Sequence, residues 1–406
     1  MARKNGSASM LFIFITLVID VLGIGLIVPI MPTLISSFTG GDLSSASQYS
    51  GWMMASYAIM QFLFSPVLGG VSDQFGRRPI ILISLLGFSL NYLISALAPD
   101  LIWLFLARIF SGITGASFTT AQAYIADISK PEDRAKNFGM VGAAFGIGFI
   151  IGPAVGGFLG SYGVAVPFYA SAILTLLNAM YGYFVLPESL AKENRRKFDI
   201  RRANPLGSLK IFTRYPLITG LVGGYFCLQL AGQAHPSTWS YFTMKVFSWT
   251  PTEVGYSLAF VGAIVAIVQG GLSRFIMPKL GDKRAILYGL MMYGLGFFLF
   301  AYASKSWMMY VFMVPFGLGG IAGPALQSMI TQQVGPDAQG ELQGGLTSLQ
   351  SITTILGPLV ASNLFAYFTS SAAPIQFPGA AFFIAGILVF IGLTIVLSSI
   401  SSRKRI

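Results

Sequence analysis

Apolar runs of twenty residues or more recur from residue 10 almost to the end of this chain of 406 residues. A helix needs about 20 apolar residues to cross about 30 Å of hydrocarbon, so each such run is long enough to span a bilayer. Hydrophobic residues make up 54% of the chain and charged ones only 10%, far from the balance of a soluble domain. Twelve spans are expected, over 10–36, 50–70, 79–98, 101–126, 138–160, 166–186, 215–243, 254–276, 285–303, 307–330, 342–366 and 377–400. The fold class that follows is an all-α membrane protein of twelve transmembrane helices.

Charge placement orients the spans. Arg3, Lys4, Arg77, Arg78, Lys130, Arg134 and Lys136 fall on one side, with the basic stretch from Lys192 to Arg214. Arg274, Lys279, Lys283, Arg284 and the tail Arg403, Lys404 and Arg405 join them, while Lys245 and Lys305 stand on the other side. Basic loops stay in the cytoplasm, so both termini and the central loop are expected there. The net charge of +11 is spread over many short loops rather than gathered on one face, which points to the lipid bilayer and away from nucleic acid. Met1 to Ser9 leads into a long span without a small-residue cleavage pattern, the mark of a retained first helix. The lone Cys227 allows no internal disulfide.

The chain also repeats itself. An offset of 205 residues pairs Gly76 with Gly281, Arg78 with Lys283, Gly112 with Gly317, Gln122 with Gln327, and Gly152 and Pro153 with Gly357 and Pro358. Six spans separate the copies, an even number, so the halves share one orientation about an axis along the membrane normal. The expected domains are a six-helix bundle over 1–186, a cytoplasmic linker over 187–214 and a second bundle over 215–406. A substrate site is expected where such halves meet, near the midplane.

Between the second and third spans stands Gly69-Gly70-Val71-Ser72-Asp73-Gln74-Phe75-Gly76-Arg77-Arg78-Pro79, two arginines, an aspartate and a turn glycine between apolar segments, which reads as a gate. Its spacing, Gly-x3-Asp-x2-Gly-Arg-Arg, resembles the signature loop of the major facilitator superfamily of transporters, with Gln74 where that pattern has a base. Three more segments resemble the drug:proton antiporters of that superfamily, and the tetracycline-efflux exporters most of all. They are Asp20 to Gly25, Arg108 to Gly115, and Gly148 to Gly157, the last similar to the antiporter motif. Gly319 to Gln327 is shared as well. The resemblance covers nearly the whole chain.

Of the fourteen acids only Asp20 must lie deep in a span, and Arg108 is the one deep base. An ionisable side chain there costs about 3 kcal/mol, so it should face a cavity or a partner. The resemblance makes Asp20 and Arg108 neighbours lining a central cavity and assigns them proton coupling. Asp73 and Asp127 are read as gate contacts to Arg77 and to a helix N-terminus, with Gly69, Gly76 and Arg78 completing the gate. Gly152, Pro153 and Gly156 are expected to let the fifth span approach its neighbour and bend there, so that the halves can rock.

Uncharged amides supply the candidate ligand contacts. Ser111, Gly115, Thr119 and Gln122 continue from Arg108 along one helical face, and Tyr225, Gln229 and Gln233 form a ladder at i, i+4 and i+8. Gln269, Gln327 and Asn91 add further amides, with Asn178 and Gln350 as possible members. Such groups orient a ligand by hydrogen bonding, though any single glutamine serves as well as interhelical glue. His235, the only histidine, reads as a helix-end polar residue.

Where the tetracycline exporters carry an acid in helix 3, a histidine in helix 8 and an acid in helix 9, this chain has Asn91, Val265 and Tyr293. In that family those side chains serve proton coupling and recognition of the metal-chelated drug, so Asp20 is left as the only deep proton carrier. The expected function is secondary active transport by alternating access, a small amphipathic drug-type compound leaving as protons enter. The alternative is an importer or facilitator of a metabolite or siderophore-like ligand on the same fold. No phosphate-binding loop, metal-ligand cluster or activated nucleophile is present, so neither an enzyme, a cofactor nor a metal is expected. The resemblance further implies a monomer in a bacterial inner (plasma) membrane.

Overall fold

A computed structural model describes residues 5–115, 117–198, 207–215, 218–335 and 338–402. Arg3, Lys4, Arg403, Lys404, Arg405 and linker residues 199–206 lie outside the described residues. Among the described residues the chain is helical and has no strand. The first half carries α1 (Asn5–Ile27), α2 (Met31–Phe38), α3 (Leu43–Phe75), α4 (Arg77–Leu97), α5 (Leu101–Thr114), α6 (Ser117–Ile128), α7 (Arg134–Gly160) and α8 (Val166–Val185). There follow α9 (Ile211–Arg214), α10 (Thr219–Gly232), α11 (Ala234–Phe247), α12 (Pro251–Val265), α13 (Ser273–Ala301), α14 (Ser306–Leu318), α15 (Ala322–Thr331), α16 (Gln339–Thr369) and α17 (Ala380–Ser402).

Local chemistry sets the helix starts. The Asp100 carboxylate accepts the backbone N–H groups of Ile102 (2.9 Å) and Trp103 (3.3 Å) and so caps α5. At α12, Glu253 accepts from the Thr250 N–H at 2.7 Å while its own N–H reaches the Thr250 hydroxyl at 3.4 Å, a reciprocal capping box.

Ten helical runs among the described residues are long and apolar enough to cross a bilayer. Two features separate that number from the twelve spans read in the sequence. The run Pro251–Ala301 is 51 residues long, roughly 75 Å at the rise of an α-helix and more than twice the hydrocarbon thickness. Its backbone leaves the helical region at Gly281, where φ is 70° and ψ is 160°. The expected span over 215–243 is broken at Gln233 into α10 and α11, each of 14 residues. Pro236 is the cause: lacking an N–H, it cannot bond the carbonyl four residues back, at Gly232.

The chain divides into two compact units. One comprises Met1–Phe38, Ser56–Pro205 and Thr250–Ala259, the other Thr39–Ala55, Leu206–Trp249 and Phe260–Ile406. In the first, Phe12, Ile13 and Leu17 of α1 pack with Ile81 and Leu85 of α4 and with Tyr124 and Ile125 of α6. The second is built on aromatics, with Trp239, Phe242, Phe297, Phe300, Phe365 and Phe382 fully buried. Large apolar side chains such as Phe184 (78% exposed) and Ile102 (67%) stand on the outside, where hydrocarbon rather than water is their solvent.

Gly148, Gly152 and Gly156 of α7 face α1. A Cβ at Gly152 would lie 2.8 Å from the Gly25 Cα, and one at Gly156 would collide with the Leu26 carbonyl. The adjacent face meets α12: the Thr252 hydroxyl donates to the Gly157 carbonyl at 2.9 Å, and a Cβ at Gly255 would strike the Pro153 carbonyl. These approaches predict that Gly156→Ala destabilises the protein by about 1–3 kcal/mol through overpacking. Gly142→Ala, in the same helix with open space around it, is expected to be neutral or to stabilise by up to about 1 kcal/mol. Thermal unfolding of the two purified variants in detergent compares them directly.

Candidate functional site

The gate loop is a tight electrostatic knot. Gly76 adopts φ 109° and ψ 161°, a conformation open to glycine, and this turns α3 into α4. The turn aims the Arg77 guanidinium back at Asp73 (2.5 Å), at the Ser72 hydroxyl (2.6 Å) and, through Nε, at Asp127 Oδ2 of α6 (3.2 Å). Arg78 donates to the Tyr183 carbonyl at 2.5 Å and lies over the Tyr183 ring. Gly69 has open space around it.

The start of the linker joins this knot. The Glu188 carboxylate accepts the backbone N–H groups of Arg77 (2.8 Å) and Arg78 (3.3 Å), capping α4 where its dipole favours a negative charge. A Cβ at Gly76 would collide with that carboxylate. Ser189 donates to Asp127 at 3.0 Å, and Tyr124 to the Pro187 carbonyl at 2.9 Å. Farther along, the Arg196 N–H bonds the Asp73 carbonyl at 3.1 Å and the Phe198 N–H bonds Gln74 Oε1 at 2.8 Å. The Phe198 ring covers Gly70, where a Cβ would meet it at 2.8 Å. Gln74, the position that departs from the family pattern, therefore supplies an acceptor that a base could not.

Asp20 in α1 and Arg108 in α5 fall within electrostatic reach of the same two buried phenols, Tyr57 of α3 and Tyr92 of α4. The Tyr57 hydroxyl accepts from Gln61 at 3.1 Å, and the same amide reaches the Gly115 carbonyl at 3.3 Å. The Tyr92 hydroxyl lies over Gly23, 3.1 Å from where a Cβ would stand, and Arg108 contacts the Met31 sulfur at 3.5 Å. Two opposite charges, two hydroxyls and an amide thus share one interior region among helices of the first unit.

The second unit holds a cavity of about 490 Å³ lined by Tyr225, Gln229, Gln269, Tyr293, Gln327 and Gln350, with Phe316 and a wall of glycines. Helix irregularities frame it: one wall carries the wider π turns over Ala266–Leu272, which include Gln269, and the facing wall tightens to a 3-10 turn over Gly319–Ile321. Gln327 donates to Gln343 Oε1 at 3.0 Å. Behind Phe316 stands His235, its ring 5.1 Å from that of Phe316 and 4.6 Å from that of Trp239.

The ligand contacts read in the sequence separate accordingly. Tyr225, Gln229, Gln269 and Gln327 come together in the cavity. Gln233 turns aside at the α10–α11 break, where its side chain packs on Gly357, and Asn91 and Gln122 belong to the first unit. Asn178 accepts from Thr16 at 3.3 Å, an interhelical contact. Val265 and Tyr293, singled out as departures from the family, line the cavity. Sequence reasoning passed over Tyr57, Tyr92, Glu188 and Phe198, whose partners lie far away in the chain.

Gln74→Lys, which restores the base of the family pattern, is expected to release residues 195–198 because a donor would face the Phe198 N–H. Limited trypsin digestion should then cut after Arg195, Arg196 or Lys197 faster than in the parent protein. An unchanged rate would show that the Gln74 contact does not hold the segment.

The family model for the Major Facilitator Superfamily matches residues 13–281 and 272–405. The chain is 42% identical over 351 residues to the class C tetracycline resistance protein of Escherichia coli, covering 86% of this chain and 88% of that protein. It is 30% identical over 380 residues to multidrug resistance protein 2 of Bacillus subtilis (strain 168), covering 92% and 90% respectively. Among solved structures, the nucleoside transporter NupG superposes with a TM-score of 0.76 at 15% identity, over 95% of this chain and 98% of that one, a likeness of fold. With that match running over nearly its whole length, the chain belongs to the major facilitator superfamily: it is an integral membrane transporter, not an enzyme.

Proposed function

We propose that this transporter exports small amphipathic compounds in exchange for protons by alternating access. The observation that carries the coupling is the grouping of Asp20 and Arg108 with Tyr57 and Tyr92 inside apolar helices. Burial and a neighbouring guanidinium act on a carboxyl in opposite senses, so water or substrate entering the region can decide whether the proton stays. The names of the two relatives, a tetracycline resistance and a multidrug resistance protein, support export of drug-like compounds.

Twelve spans follow if α5 with α6, α10 with α11 and α14 with α15 each cross once and the run Pro251–Ala301 crosses twice, turning at Gly281. The halves 1–186 and 215–406 then rock about the site, joined by the linker 187–214. Tyr225, Gln229, Gln269 and Gln327 hold the substrate. Opening toward the cytoplasm acts on the contacts of Arg77 with Asp73 and Asp127. Both termini face the cytoplasm at a bacterial inner membrane, and the monomer is the working unit.

An importer remains the second reading, and the amide-lined cavity favours it because a polar metabolite would satisfy those groups equally well. Accumulation of a ligand in cells making the protein would decide for import, exclusion for export.

Inverted vesicles test the coupling. An imposed pH gradient should drive uptake of a fluorescent drug by the parent protein, each coupled charge adding about 2.3 kcal/mol per 100 mV when a membrane potential is also present. Asp20→Asn should reduce gradient-driven uptake to the level of empty vesicles while leaving drug binding in place. Gradient-driven uptake that survives in Asp20→Asn removes Asp20 as the proton carrier.

A further inference from the structure

We infer that the cavity of the second unit selects an uncharged, ring-bearing compound with several hydrogen-bonding groups, and does so without a metal chelate. The inference rests on the transporter reading above and narrows its substrate class. None of the residues lining the cavity carries a charge. Its polar groups are the carboxamides of Gln229, Gln269, Gln327 and Gln350 and the hydroxyls of Tyr225 and Tyr293. Among the described residues, no protein group is hydrogen bonded to the side-chain amides of Gln229, Gln269 or Gln350, so a ligand can take both their donors and their acceptors.

The described acids of this unit are engaged outside the cavity, Asp42 with Ser44 and Ser45. Asp282 accepts from the Ser328 hydroxyl (3.1 Å) and the Gln332 amide (2.9 Å), and Glu341 pairs with Arg214 at 3.0 Å. A cation entering the cavity would lose its hydration without gaining a counter-charge, and a charged chelate would find no carboxylate to meet its metal. Phe316 is stacked with His235 at 5.1 Å and with Tyr293 at 4.9 Å, contacts that compete with a cation for its ring. A neutral compound avoids that cost and gains from each amide it satisfies.

Glycines stand beside the amides, Gly320 next to Gln269 and Gly323 one turn before Gln327. Gly317, Gly319, Gly320 and Gly323 bring bare backbone to the cavity surface. A Cβ at Gly323 would meet nothing nearer than the Leu228 side chain at 4.0 Å, so a larger residue there fills ligand space rather than disrupting packing. That geometry separates a test of occupancy from a test of folding.

Binding to the purified full-length protein is measured by calorimetry with three probes: chloramphenicol, a neutral aromatic amide; ethidium, a planar cation; and tetracycline with magnesium or with EDTA. Chloramphenicol should bind more tightly than ethidium, with affinity unchanged by EDTA. Gln269→Leu and Gly323→Leu should each weaken it about tenfold, close to the loss of one good hydrogen bond or of the ring's space. Gln269→Glu should gain ethidium binding, a result no misfolded variant could produce. The inference is overturned if ethidium or the magnesium chelate binds more tightly than chloramphenicol to the parent protein, if no chloramphenicol binding is detected, or if the cavity variants leave chloramphenicol affinity unchanged. Export is judged separately in the vesicle assay: drug uptake there alongside an ethidium preference would sink the substrate class alone. Neutral binding without uptake would sink the transport reading and leave the cavity's selectivity standing.

Discussion

Hydrocarbon holds no water to satisfy a backbone amide, so every N–H and C=O within a span must find its partner inside the chain. Interruptions of the helical ladder are therefore costly here, and this protein concentrates them around its polar regions. Side chains donate to carbonyls beside each break. Gln61 donates to Gly115 O at the end of α5, Ser237 to Gln233 O at 2.7 Å at the α10–α11 break, and Ser273 to Gln269 O at 2.6 Å beside the π turns. The first lies beside Tyr57, the second one turn beyond Gly232 of the cavity, and the third on a cavity-lining residue. Irregular backbone is tolerated in a membrane where it lines a cavity, and these breaks follow that rule.

The gate shows how one geometry carries two chemistries. Gly76 and Gly281, 205 residues apart, share positive φ with ψ near 160° (161° and 160°). The same offset maps Arg77 onto Asp282 and Asp127 onto Gln332. In one unit Arg77 Nε reaches Asp127 Oδ2 at 3.2 Å; in the other Gln332 Nε2 reaches Asp282 Oδ2 at 2.9 Å. Position and contact recur while donor and acceptor exchange places and one charge disappears. Only the first version has a carboxylate like Glu188 over its turn glycine, since a Cβ at Gly281 would meet nothing within 4 Å. The first turn is thus locked by both conformation and contact, the second by conformation alone.

How much of this could be read in advance depended on the range of the interaction. Apolar length is a local property, so long apolar helices were legible, ten spanning runs standing where twelve were read, and the turn glycines were legible because an internal repeat marked them. Tyr225 and Gln229 reached the cavity because a helical period predicts a shared face over one turn. Gln233 did not, because Pro236 breaks the ladder at the Gly232 carbonyl and ends the shared face there. Gln269 was found as a residue type, but its placement depends on π turns that a period of 3.6 does not anticipate. Glu188 and Phe198 sat in a basic linker with no pattern of its own, and their roles come from contacts with Arg77 and Gln74 more than a hundred positions away. Tyr57 and Tyr92 look like ordinary lipid-span aromatics until Asp20 and Arg108 are placed beside them.

The distribution of charge within the units carries the deeper argument. An ionisable group in hydrocarbon is stable only with a partner or a cavity to solvate it, at about 3 kcal/mol each by insertion scales. The first unit accepts that cost at Asp20 and Arg108 and surrounds them with hydroxyls, an amide and a sulfur. In the second, the described acids stand at helix ends or in a loop, and the interior polarity is left to amides and phenols. Neutral groups can meet a ligand without changing protonation, whereas Asp20 and Arg108 are the groups whose charge a change of surroundings would affect. A cavity without charge can therefore release or accept its compound without itself changing protonation. Under the proposed coupling, protons would then act through the Asp20 and Arg108 region and through movement of the protein between states, because that cavity offers no charged group for direct competition.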